Sequence, residues 1–85
     1  MNLESKIRTL VEDEITKAGY ILDDVVYVNE NGINYLRFII DKENGYITID
    51  DCVEVNGIVN PIIDENDPIE ESYMLEVWSK EKGED

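Results

Sequence analysis

The sequence has no histidine and one cysteine, Cys52. Without imidazole it lacks the side chain that most often serves as a general base near neutral pH and as a transition-metal ligand. Ser5, Ser72 and Ser79 therefore have no imidazole to activate them as nucleophiles. A single cysteine excludes an internal disulfide, which fits a reducing compartment. Cys52 falls on the expected buried face of a helix, where a thiol behaves as a small apolar core residue rather than a reactive thiolate. Gly19, Gly32, Gly45, Gly57 and Gly83 are too far apart to form a phosphate-cradling glycine loop. No apolar run approaches the roughly 20 residues a membrane helix needs. Met1 to Ser5 shows no basic-then-apolar signal pattern. A soluble, cytoplasmic chain is expected.

Positive charge is also scarce. Seven basic residues face 21 acidic ones, for a formal net charge of -14. Nucleic acid is bound by Lys and Arg that release counterions from phosphates, and this balance opposes that. The field favours a cationic partner such as a basic protein, or serves solubility alone. With 85 residues the chain is expected to form one domain, too small for both a core and a deep substrate cavity. Its 42% hydrophobic content is enough for a folded core.

Leu3, Ile7, Leu10, Val11, Ile15 and Ala18 recur at helical spacing, and Gly19 stands where such a helix would end left-handed. Tyr20 to Val28 and Tyr35 to Asp41 read as strands, with an Asn31-Gly32 turn signal in the loop between them. Alternation in the second strand sends Leu36, Phe38 and Ile40 inward and Tyr35, Arg37 and Ile39 to an open face. Thr48 is a candidate N-cap with Asp50 and Asp51 in the first helical turn. The second helix is expected to bury Ile49, Cys52, Val53, either Val55 or Asn56 at its edge, and Val59, and to kink or end near Asn60 because Pro61 lacks an amide donor. Asp64 to Pro68 reads as a loop, with Ile69 pinning it to the core. Tyr73 to Ser79 reads as a third strand with Tyr73, Leu75 and Val77 inward and Glu76 and Trp78 on the open face. The order is α-β-β-α-β. It predicts an α+β, two-layer domain with two helices on one face of a small three-stranded mixed sheet.

No dedicated metal site is expected. Asp41 to Gly45 departs from a calcium loop, because Tyr46 stands where the sixth-position glycine is needed. Asp64-Glu65-Asn66-Asp67 offers oxygens, but Pro68 stiffens the place of a further ligand. A small enzyme would need two carboxylates held across a cleft. The element order also resembles RNA-binding folds of the KH type, whose G-x-x-G loop is absent here.

Four segments resemble the N-terminal domain of the ribosome maturation factor RimP family. They are Gly19-Tyr20-Ile21-Leu22-Asp23-Asp24-Val25, Leu36-Arg37-Phe38-Ile39-Ile40-Asp41-Lys42, Ile47-Thr48-Ile49-Asp50-Asp51-Cys52, and Asp67-Pro68-Ile69 with Tyr73-Met74-Leu75-Glu76-Val77. The resemblance covers residues 1–79 and implies a non-catalytic domain that binds the assembling small (30S) ribosomal subunit through a basic ribosomal protein, with no cofactor or metal. It further implies that residues 80–85 are a polar tail, or the start of a linker to a C-terminal SH3-like domain that this chain lacks. After Val77 the chain departs from the family's S-S-P-G and basic R-P-L stretch, retaining only Ser79 and Gly83. The candidate partner-binding residues are Asp24, Arg37, Asp41, Asp50, Asp51, Glu76 and Trp78. Arg37 is alternatively a structural partner of Asp24 or Glu76. Direct ribosomal RNA binding by a KH-like module is the competing reading. It requires Lys6, Arg8, Lys17, Lys42, Lys80 and Lys82 to cluster.

Overall fold

A computed structural model describes residues 2–80. The first helix, α1, spans Leu3–Lys17. The Asn2 side chain caps it, accepting from the Ser5 amide at 2.8 Å. Ile7, Val11 and Ile15 repeat every four residues and are buried without remainder. The helix closes as the spacing predicts. Gly19 takes φ +97, while its amide bonds Thr16 O at 3.0 Å and the Tyr20 amide bonds Ile15 O at 3.2 Å.

Strands β1 (Ile21–Glu30) and β2 (Ile33–Asp41) form an antiparallel hairpin. Its loop is tighter than the few residues expected. Asn31 (φ 54) and Gly32 (φ 84) alone make the turn, both left-handed as the twist of the flanking strands requires. The register slips by one residue between Leu22 and Asp24. This bulge at Asp23 reverses the alternation, so Leu22 and Val25 both reach the core despite an odd spacing.

Helix α2 runs from Ile49 to Asn66, with Thr48 and Asp51 forming a reciprocal capping box. It does not end near Asn60. Pro61 lies inside the helix without an amide to give, while buried Val55, Val59 and Ile63 hold both halves of the helix against the core. The helix stops instead at Asp67, which is left-handed (φ 46) and donates its amide to Ile63 O at 2.7 Å. The longer helix extends the inward stripe of Val55 and Val59 to Ile63. Ile49 (83% exposed) and Val53 (65% exposed) face solvent, and Cys52 is only partly buried, contrary to the expected inward set. Val53 precedes Val55 by two residues, roughly 200° around a helix, so the two cannot share a face.

Strand β3 (Met74–Ser79) lies parallel to β2 and gives the sheet order β1-β2-β3. Leu36 pairs with Tyr27 and Leu75, and Phe38 with Val25 and Val77, under the buried residues of both helices. The two-layer architecture with a mixed three-stranded sheet thus follows the predicted order. Lys80 continues the ladder, its amide donating to Ile40 O at 2.8 Å. The rest of the expected tail, 81–85, lies outside the described residues.

Candidate functional site

The sheet face opposite the helices carries Asp24, Ile39 and Trp78 in one cross-strand row and Val26, Arg37 and Glu76 in the next. Arg37 is the centre of this surface. Its Nη2 donates to Glu30 Oε1 at 2.9 Å and its Nη1 to Glu30 Oε2 at 3.1 Å, a bidentate pair. Its Nε donates to Glu76 Oε1 at 2.8 Å. The same Glu76 oxygen accepts from Trp78 Nε1 at 3.0 Å. The guanidinium carbon also stands 4.7 Å from the Tyr35 ring and 4.6 Å from the Trp78 ring. Its side chain is only 14% exposed. Arg37 is thereby held charged, and its hydrogen bonds keep Glu30 ionised below the usual carboxylate range. Of the two partners expected for Arg37 the structure selects Glu76, adds Glu30, and leaves Asp24 aside. The Asp24 carboxylate accepts from the Val25 amide at 2.8 Å.

Asp51 lies in a second network. Its Oδ2 accepts from the Thr48 amide at 2.8 Å and from Lys42 Nζ at 3.0 Å. The Tyr20 hydroxyl lies 2.8 Å from Asp51 Oδ1 and 2.7 Å from Glu54 Oε1. It has one proton to donate, so it serves one carboxylate at a time. The Thr48 amide bond, then Lys42 and Tyr20, hold Asp51 far below the ordinary carboxylate range. The Tyr20 phenol is pushed well above its usual range by the bond to Glu54, by burial and by Asp51. Burial likewise raises the Cys52 thiol, which opposes a reactive thiolate. Asp51 is thus committed to the helix cap and the tie to Lys42, whereas neighbouring Asp50 is exposed. Asp41 sits at the end of β2, its Oδ1 accepting from the Lys42 amide at 2.8 Å. The seven candidate residues therefore do not converge on one spot. Arg37, Glu76, Trp78 and Asp24 share the open face, while Asp41, Asp50 and Asp51 lie at the start of α2 and the end of β2.

A different acidic surface went unsingled in the sequence as a contact. Asp64, Glu65, Asp67, Glu70 and Glu71 follow one another around the C-terminal end of α2, and no basic residue occupies the helix's last turn. Carboxylates at that end oppose the helix dipole, which leaves them a destabilising surplus of negative charge. Asp64, Asp67, Glu70 and Glu71 border a groove of about 510 Å³ that reaches Tyr73 and Leu75 of the sheet's edge. The usable signal was the run of acids without any Lys or Arg between positions 64 and 71. Among the described residues no group of three or more acidic or thiol side chains is placed to hold a metal ion.

The basic residues are mostly spent. Arg8 pairs with Glu12, Lys17 with Glu14, Arg37 with Glu30 and Glu76, Lys42 with Asp51, and Lys80 with Asp23. They lie on α1, in β2, just after β2 and just after β3, with none on α2 or β1, and only Arg8 and Lys80 come together, at Asp23. No helix among the described residues is long and apolar enough to cross a membrane.

The family model described as the RimP N-terminal domain matches residues 10–80. That span takes in the hairpin with its Arg37 cluster, the capped second helix and the third strand. The chain belongs to the RimP N-terminal domain family, whose role is in ribosome maturation and which is generally non-catalytic.

Proposed function

We propose that this domain acts in the cytoplasm on the assembling small ribosomal subunit by docking against a basic ribosomal protein, without catalysis. The observation that carries this reading is the disposition of charge. Five of the seven basic residues are neutralised by carboxylates, while among the described residues the acids at the end of α2 make no ion pair. A phosphate backbone would meet net repulsion from such a surface, and a Lys/Arg-rich protein would meet attraction. Family membership supplies the ribosomal context.

The test is capture of purified small-subunit proteins on the immobilised chain. The variant to compare carries Asp64→Lys, Glu65→Lys and Glu70→Lys, which spares the structural Asp51. Retention of basic proteins by the wild type, and its loss in the variant, is the expected result. Equal capture by both would refute the assignment of that surface, and preferential retention of bare ribosomal RNA would refute the reading as a whole.

A further inference from the structure

The sheet has two outer edges, and they are treated differently. The β1 edge is closed by α1. Arg8 donates to Leu22 O at 3.0 Å and to Asp23 O at 2.9 Å, and Glu4 accepts from the Tyr27 amide at 3.0 Å. The bulge at Asp23 further bends that edge away from pairing.

The β3 edge has no such closure among the described residues. Its parallel register and the bond from the Lys80 amide to Ile40 O show which groups face outward. In a parallel ladder alternate residues give both backbone groups to the same neighbour. Lys80, Trp78, Glu76 and Met74 therefore turn theirs toward β2. Leu75, Val77 and Ser79 turn their N–H and C=O groups outward, where no side chain of the described residues meets them. A bare edge of this kind is a template for another strand.

The surroundings specify the chemistry of that strand. On the open face Met74 (56% exposed) and Trp78 (45% exposed) flank the edge with apolar surface. On the helix side the edge borders the groove lined by Asp64, Asp67, Glu70 and Glu71. A strand laid there would send alternate side chains to these two surfaces.

We propose that the β3 edge binds an extended, Lys/Arg-rich segment of a partner protein as a fourth strand, with basic side chains over the acidic groove and the intervening apolar ones beside Met74 and Trp78. The inference rests on the cationic-partner reading above and adds the mode of docking. A second copy of this chain is a poorer occupant, because it brings a net charge of -14 against the same charge.

The probe is a short capped peptide alternating lysine and valine, added to isotope-labelled protein and followed by amide hydrogen exchange. The amides of Leu75, Val77 and Ser79 are expected to slow by about a hundredfold at a peptide concentration about 100 times Kd. Those of Met74, Glu76 and Trp78, already bonded to β2, change far less. Ser79→Pro removes one outward donor at an exposed position. It is expected to weaken peptide binding roughly fivefold to tenfold with the circular dichroism unchanged. Peptide binding that shifts only residues 64–71, with no new protection at the three outward amides, would overturn strand addition and leave the cationic-partner reading standing. Protection that grows with protein concentration in the absence of peptide would overturn it in favour of pairing between copies. Failure to bind the peptide while basic small-subunit proteins are still captured would also overturn it. Failure to bind either would remove the reading on which it rests.

Discussion

The guanidinium of Arg37 lies 4.6 Å from the Trp78 ring, on the sheet face that the helices leave uncovered. Trp78 is the only tryptophan, so its fluorescence reports on this cluster, which includes its bond to Glu76. Replacing Arg37 by Met removes the cation from the ring and leaves Glu30 and Glu76 without their shared partner. The Trp78 emission should shift to the red and the melting temperature should fall by roughly 5 °C or more. Arg37→Lys should recover only part of the loss, since an ammonium cannot pair bidentately with Glu30 while stacking on a ring. Emission and melting unchanged in Arg37→Met would show that the cluster is incidental.

Tyr20→Phe tests the link between the hairpin's start and α2. The buried ring stays and the bonds to Asp51 and Glu54 go, so the expected cost is about 1–2 kcal/mol. The pH dependence has a definite sign. The Tyr20 phenol ionises less readily in the folded chain than in the unfolded one. Its contribution is therefore fully present below about pH 10 and is lost as pH rises beyond that. Denaturant titrations between neutral and strongly alkaline pH should converge for wild type and variant at the alkaline end.

Asp51 works in the opposite direction. Its folded-state affinity for protons is depressed, first by the Thr48 amide and next by Lys42. Its contribution is present above about pH 4 and disappears as pH falls through the acid range. Asp51→Asn keeps an oxygen that can accept from the Thr48 amide but removes the charge paired with Lys42. The variant should be less stable than wild type at neutral pH, and the gap should close on acidification. A gap that stays constant down to strongly acidic pH would contradict the assignment.

Helix α2 offers a contrast within a single element. Ile63 is buried at its third inward position, so Ile63→Ala should cost about 2–5 kcal/mol. Val53 faces solvent, and Val53→Ala should stay within about 0.5 kcal/mol of wild type. At Gly57 an added methyl would meet nothing within 4 Å, so Gly57→Ala should stabilise by about 0.5–1 kcal/mol. Thermal melts of the three proteins check all of these values together.

Much of this architecture was legible in the residues. The 3.6-residue stripe of Ile7, Val11 and Ile15, the Asn31-Gly32 turn and the alternation of Leu36, Phe38 and Ile40 are local signals, and the fold obeys them. The second helix was misread at Pro61, because a proline's local penalty is offset when packing on both sides holds the helix together. Separately, Ile49 and Val53 were placed inward although they lie on the opposite side of the helix from Val55 and Val59. The bulge at Asp23 was invisible, since one extra residue leaves no compositional mark. The pairing of Arg37 with Glu30 depends on hairpin register and could not be read from spacing. Of the candidate contacts, the acids were recognisable as a charge balance. Which of them are tied up, as Asp51 is, and which make no ion pair among the described residues, like those at the end of α2, depends on where the few basic residues land.

The most direct measurement is the dissociation constant of this chain for a basic small-subunit protein and for naked small-subunit RNA, each across a series of salt concentrations. Charge-driven docking predicts measurable affinity for the protein at low salt, weakening steadily as the Debye length shortens to about 8 Å at 0.15 M and beyond, and no comparable affinity for the RNA. Tight binding to the RNA with indifference to the basic protein would contradict the account.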